Sequence, residues 1–162
     1  MKLTADELMV GNNGFGLFLG AGASYEAGYP LMTTLTTTVI KSFNGTQIDL
    51  LKQLVYEELD DEIDVDSGIP NIEMISDLLA IRAVKLGSEG KDYEQLLNKV
   101  RERIVEILQS VKNPKLDYHV KLLESLRRIK EGQTSPLWIF TTNYDLLIER
   151  AATEVGIPIY DG

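Results

Sequence analysis

An uninterrupted apolar run that breaks into paired glycines constrains this chain more than any other feature. Phe15-Gly16-Leu17-Phe18-Leu19 leads directly into Gly20-Ala21-Gly22-Ala23-Ser24. A run without polar alternation predicts a strand covered on both faces, the habit of parallel sheets in α/β proteins. Leu137-Trp138-Ile139-Phe140-Thr141 behaves in the same way. It is entered through Ser135-Pro136 and runs into Thr142-Asn143. Ile157-Pro158-Ile159-Tyr160 is a weaker third strand signal. The first two strands each meet a small polar loop and then a helix, the place where open α/β sheets hold ligands.

Four stretches carry helical periodicity. Leu51, Leu54, Val55 and Leu59 form one stripe, and Ile72, Ile75, Leu78, Leu79 and Leu86 form a second after a helix start at Pro70-Asn71. Leu96, Leu97, Val100, Ile104, Ile107, Leu108 and Val111 form the clearest, which Pro114 ends. Leu122, Leu123, Leu126 and Ile129 form the fourth, ended by Gly132. The expected fold class is therefore α/β: a partial Rossmann-like parallel sheet with a helical insertion at about 46–131.

Composition excludes several function classes. The 162 residues hold 16 Lys plus Arg against 25 Asp plus Glu, a formal net charge of −9. Such a chain repels phosphate backbones, so nucleic acid is not an expected partner. A local phosphate site stays open, because backbone N–H groups bind anions without Lys or Arg. There is no cysteine, hence no disulfide, no thiolate nucleophile and no Cys-based zinc site in these residues. The first residues, Met1 to Glu7, hold no apolar signal core, and no run approaches the ~20 apolar residues of a membrane span. A soluble, cytoplasmic setting without a membrane partner is expected. The acidic stretch 57–66 does not fit a calcium loop: with Gly68 at the sixth position, Ile63 would fall at the first. It reads as a solvated loop, and no metal is expected.

Two motifs carry chemistry. In Gly20-Ala21-Gly22-Ala23-Ser24, the glycines let the chain turn and let a phosphate approach the backbone, with the N-terminus of the next helix behind it. Ser24 can add a hydroxyl donor or cap that helix. The dinucleotide fingerprint would need glycine where Tyr25 stands, and no P-loop lysine follows. A purely structural strand-to-helix turn remains an alternative. Ser24 as a nucleophile would need His119, the sole histidine, as its base. His119 stands at a helix start whose apolar stripe accounts for the segment, so it is expected to be structural or exposed, on the side of the helical insertion. The second motif is Thr141-Thr142-Asn143-Tyr144-Asp145. Parallel strands would deliver Asn143 and Asp145 to the same sheet edge as Gly20 to Ser24. There Asn143 can hold a hydroxyl or a water, and Asp145 can accept from a carboxamide or a ribose. Alternatively Asp145 caps a helix over 146–155 and Asn143 is a turn residue.

Taken together, Gly20 to Ser24, Gly28-Tyr29-Pro30 and Phe140-Thr141-Thr142-Asn143-Tyr144-Asp145 resemble the sirtuin-like NAD-binding family. The likeness is to its prokaryotic branch, which includes antiviral NAD-cleaving effectors, and it covers roughly Phe15 to Gly162. Pro70-Asn71-Ile72-Glu73 and the helix after it resemble that branch's helical insert. Leu31, Met32 and Thr33 replace the Asp-Phe-Arg of the classical deacylases, and Thr142 replaces a glutamine. The resemblance implies that Gly20, Ala21, Gly22, Ala23, Ser24, Pro30 and Thr142 bind NAD. It implies that Asn143 positions ribose or water and that Asp145 contacts nicotinamide, the two forming the catalytic pair. The family's catalytic histidine lies in a His-Gly step beyond the Asn-Tyr-Asp motif, and His119 does not match it. These residues are accordingly expected to be the N-terminal portion of the domain, with a continuation beyond 162. The expected activity of the intact protein is hydrolysis of the nicotinamide–ribose bond, an NAD glycohydrolase that depletes NAD in anti-phage defence. Its expected partners are NAD and a second copy or a defence-system protein. The alternative is a non-catalytic nucleotide-binding or assembly module that regulates other proteins.

Overall fold

The computed structural model describes residues 16–129 and 137–160, so Phe15 and the expected breakers Gly132, Ser135 and Pro136 lie outside the described residues. The chain is mostly helical with a small parallel sheet, and it divides into two compact units.

The strand-bearing unit takes residues up to Tyr29 and from Asn113 onward. Strands β1 (Gly16–Leu19) and β2 (Trp138–Thr141) pair in parallel, with Leu17 opposite Ile139 and Leu19 opposite Thr141. The N–H of Thr142 donates to the Leu19 carbonyl at 3.3 Å and carries the pairing one step further. A one-turn helix α1 (Gly22–Tyr25) follows β1. Further helices of this unit are α6 (Asp117–Ile129) and α7 (Leu147–Val155).

Successive strand residues point to opposite faces. Ile139 packs on a cluster of Leu123 from α6 with Ala151 and Ala152 from α7. On the opposite face Phe18, Trp138 and Phe140 are exposed, and the rings of Trp138 and Phe140 stack at 6.4 Å. The expectation of strands covered on both faces thus holds for one face only among the described residues. Ile157 to Tyr160 form no strand. The reason is local: Gly156 closes α7 at φ 68, and the Ile157 N–H donates back to the Ala152 carbonyl at 2.9 Å. Ile157 then packs on the same apolar cluster, so it finishes a helix in a Schellman-type closure rather than starting a ladder.

The helical unit runs from Pro30 to Lys112. It contains α2 (Met32–Lys41), α3 (Gly45–Leu59), α4 (Ile72–Leu86), a 3-10 turn (Gly87–Gly90) and α5 (Lys91–Gln109). The starts of α3 and α4 are encoded by asparagines. Asn44 Oδ1 accepts from the Gln47 N–H while Gln47 Oε1 accepts from the Asn44 N–H, a reciprocal capping box. Asn71 Oδ1 accepts from the Met74 N–H and caps α4. The stripes read from sequence supply the core, including Leu51, Leu54, Ile72, Ile75, Leu79, Leu96 and Val100. The sequence did not mark α2, which adds Leu35, Val39 and Ile40. Its threonines and β-branched residues obscure the helical signal. At Gly90 a Cβ would lie 2.5 Å from the Ala83 carbonyl oxygen, so only glycine fits where the turn passes α4.

The acidic stretch splits in two. Glu57 and Glu58 remain on α3 and pair with Arg82 of α4 at 2.6 and 3.1 Å. Beyond them Asp64 Oδ1 accepts from the N–H groups of Asp66 and Ser67, an Asx turn. The helical unit begins at Pro30 and ends at Lys112, whereas the expected insertion runs over about 46–131. Helix α6, with His119, belongs instead to the strand-bearing unit, which corrects the placement of His119 on the insertion side. Leu123 of α6 joins Ala151 and Ala152 of α7 behind the sheet, and that packing, invisible to periodicity alone, assigns the helix.

Candidate functional site

The site lies within the strand-bearing unit. After β1 the chain turns at once: the Ala23 N–H donates to the Gly20 carbonyl at 2.9 Å and the Ser24 N–H to the Ala21 carbonyl at 3.1 Å. The helix it opens lasts one turn. The sequence leads to an expected helix N-terminus behind the loop, and a single turn supplies little dipole. The Ser24 carbonyl accepts from both the Ala27 and Tyr29 N–H groups, each at 3.2 Å, and Gly28 takes φ 100 to allow it.

Gly20 and Gly22 are exposed, and a Cβ at either would meet nothing within 4 Å. Neither has positive φ. Their own fold does not demand glycine. What their bareness offers is an approach to the backbone from outside. Ala21 and Ala23 between and after them are half-buried.

At the end of β2, the Asn143 N–H donates to Thr141 Oγ1 at 3.0 Å and bends the chain out of the strand. Asp145 Oδ1 accepts from the Leu147 N–H at 3.0 Å, at the first turn of α7. The helix-start reading of Asp145 is therefore partly realised, with one oxygen only.

The other carboxylate oxygen joins the two motifs. Ser24 Oγ donates to Asp145 Oδ2 at 2.6 Å, across 121 residues of sequence. Asn143 Nδ2 donates to Ser24 Oγ at 2.8 Å and to the Gly20 carbonyl at 3.1 Å. Both amide hydrogens of Asn143 are thus committed, and they hold the carboxamide in one orientation. Its Oδ1 is buried and has no hydrogen-bond partner among the described residues. An unmatched buried acceptor is costly unless a ligand or water completes it. The arrangement presents a fixed acceptor beside a carboxylate, next to bare glycine backbone. That set can receive O–H or N–H donors and can steady positive charge developing between them.

Ser24 is 3% exposed, and its hydroxyl proton is directed to a carboxylate rather than to an imidazole. A serine–histidine nucleophile is not built here. His119 is 4% exposed within α6, and its Nδ1 has no partner among the described residues. Thr142 is exposed and contributes its backbone to the sheet pairing. Pro30 opens the helical unit and so stands outside the unit that holds Ser24, Asn143 and Asp145.

Tyr29 is the residue that sequence reasoning left out of the site. Burial raises its phenol above the usual tyrosine range, the Asp145 carboxylate adds to the rise, and Arg150 opposes it.

Compared with protein-family models and with curated proteins, the chain matches none. The site is therefore interpreted from its own geometry.

Proposed function

We propose that the strand-bearing unit binds NAD as part of a sirtuin-like, Rossmann-type domain, and that the intact protein hydrolyses the nicotinamide–ribose bond. The observation that carries this reading is the polar chain from Gly20 through Asn143 and Ser24 to Asp145. It unites the two motifs that the resemblance rests on and leaves Asn143 Oδ1 as a buried acceptor. A ribose hydroxyl or a water is a fitting donor for it. Asp145 retains lone pairs beyond its two bonds and suits a carboxamide N–H. The bare faces of Gly20 and Gly22 suit a phosphate, held by loop N–H groups more than by the one-turn helix. Ser24 acts in this reading by holding Asn143 and Asp145, since its own donor is spent on Asp145.

The test is Asn143→Ala in the intact protein, with NAD cleavage followed by release of nicotinamide. Loss of one positioned polar group typically costs 10²–10³-fold, about 3–4 kcal/mol. Cleavage should fall on that scale with an unchanged far-ultraviolet circular dichroism spectrum. Full activity in the folded variant would refute the role of Asn143. NAD binding without cleavage by the intact wild-type protein would instead favour a nucleotide-binding module that regulates other proteins.

A further inference from the structure

Helix α4 buries Ile72, Ile75 and Leu79 in the core of the helical unit. Its opposite side is also apolar. Met74, Ile81 and Val84 are 46%, 49% and 83% exposed. Spacings of seven and three residues place them along one side of the helix, over about 15 Å at 1.5 Å per residue. Solvent gains nothing from such a stripe, and the helix did not need it for the core already built from its other face.

Two charges interrupt the stripe. Asp77 and Lys85 are exposed and stand four residues on either side of Ile81. We propose that this face of α4 is a self-association surface, which takes α4 of a second copy of the chain antiparallel, about a two-fold axis at Ile81. In that register each residue faces the one equally far beyond Ile81 in the other copy. Asp77 then meets Lys85 of the second copy, twice by symmetry, and Ile81 meets Ile81. Val84 meets the half-buried Leu78, and Met74 lies beyond the end of the other copy's α4, which stops at Leu86. A parallel register would set Asp77 against Asp77 and Lys85 against Lys85, so the charges select the antiparallel one. Such isologous two-fold pairing is the commonest form of homodimer. Lys85 is available for it: its contact with Glu58 is long, at 3.6 Å, and its side chain is 60% exposed.

Sedimentation velocity on the full chain tests this, over about 1–100 μM, the range in which modest interfaces associate. The expected result is a reversible dimer. Ile81→Glu and Val84→Glu should each weaken it about tenfold or more, as central apolar contacts do. Val84→Glu is the safer variant, because that side chain has almost no folded contact to lose. Asp77→Lys and Lys85→Asp should each weaken association by opposing like charges. The double variant Asp77→Lys/Lys85→Asp should recover most of the wild-type affinity. A monomer throughout the range would overturn the proposal. So would association insensitive to Ile81→Glu and Val84→Glu, or a double charge exchange no better than the single ones.

Discussion

The two units solve different problems with the same chain. The helical unit places twelve buried residues in one apolar cluster, from Leu35 to Val100, and its helices α3 and α4 start with asparagine caps. The strand-bearing unit has a buried apolar cluster of only Leu123, Ala151 and Ala152 among the described residues. It leaves Phe18, Trp138 and Phe140 exposed. In return it holds the polar chain of Ser24, Asn143 and Asp145, with a buried acceptor that has no partner among the described residues. Apolar burial is concentrated in the helical unit, and unspent polar capacity lies where the core is thin. This is the distribution expected when a site must keep its hydrogen bonds for something other than its own fold.

The widest separation of the two should come from Leu79→Ala. Leu79 is fully buried in the helical core, and such truncations cost about 2–5 kcal/mol. Urea unfolding followed by circular dichroism should show the loss. NAD affinity measured well below the transition should be unchanged. A variant that lost both together would break the division of labour.

Gly90→Ala should come next. Its Cβ would enter the Ala83 carbonyl at 2.5 Å, against backbone rather than a flexible side chain. Overpacking of that kind costs about 1–3 kcal/mol. Calorimetric melting should register it, again with nucleotide affinity preserved.

Ser24→Ala sharpens the contrast from the other side. It strips Asp145 Oδ2 and one hydrogen of Asn143 of their partner. Leaving buried polar groups unmatched costs about 1–3 kcal/mol. On the proposed reading the stability loss should be accompanied by a fall in NAD turnover in the intact protein, because the Asn143 carboxamide then keeps only its bond to the Gly20 carbonyl. Unchanged turnover in a folded Ser24→Ala would remove the positioning role.

The smallest effects are in pH. Tyr29 is raised by burial and by Asp145. A raised group lends stability below its unfolded pKa and loses it as pH rises through the folded one, so the strand-bearing unit should weaken at the alkaline end. Tyr29→Phe should remove a phenolate absorbance step that titrates above the ordinary tyrosine range. In the helical unit the Glu57 carboxyl is held below its ordinary value by the hydrogen bond from the Gln53 amide and by the hydrogen bond and charge of Arg82. A lowered group contributes above its unfolded pKa and loses that as pH falls through the folded one, so the acid end weakens this unit. Glu57→Gln should flatten the acid limb of a stability-versus-pH curve. No flattening would mean the contact is solvated away.

Much of this was legible in one dimension. The stripes through Leu51, Ile72 and Leu96 are legible because a helix repeats its buried face every three or four residues, although Leu59 and Leu86 at the ends of the first two are exposed. Asn71 marked a helix start because its side chain answers a donor only three residues away. Both parallel strands were marked by their apolar runs. Other features were not legible. The threonine-rich α2 hid its period, and Ile157 looked like strand until Gly156 used it to close a helix. Tyr29 stands in the Gly28-Tyr29-Pro30 segment with no sign that it neighbours Asp145, because nothing along the chain reports charge across 116 residues of separation (roughly a whole domain of chain).

The sequence by itself determined the local elements, the types of side chain at the two strand ends and the acidic, cysteine-free character of the chain. These follow from nearest-neighbour sterics, short-range caps and periodicity. Only the tertiary structure decided that Ser24 faces inward to Asp145, that Asn143 is locked by Ser24 and Gly20, and that α6 belongs with the sheet. Hydrogen bonds of under 3.2 Å between residues 119 to 123 apart depend on where two strands come to lie side by side. That is settled by the register Leu19 to Thr141 and by the packing of α6 and α7 behind it, neither of which is written in any contiguous stretch of residues.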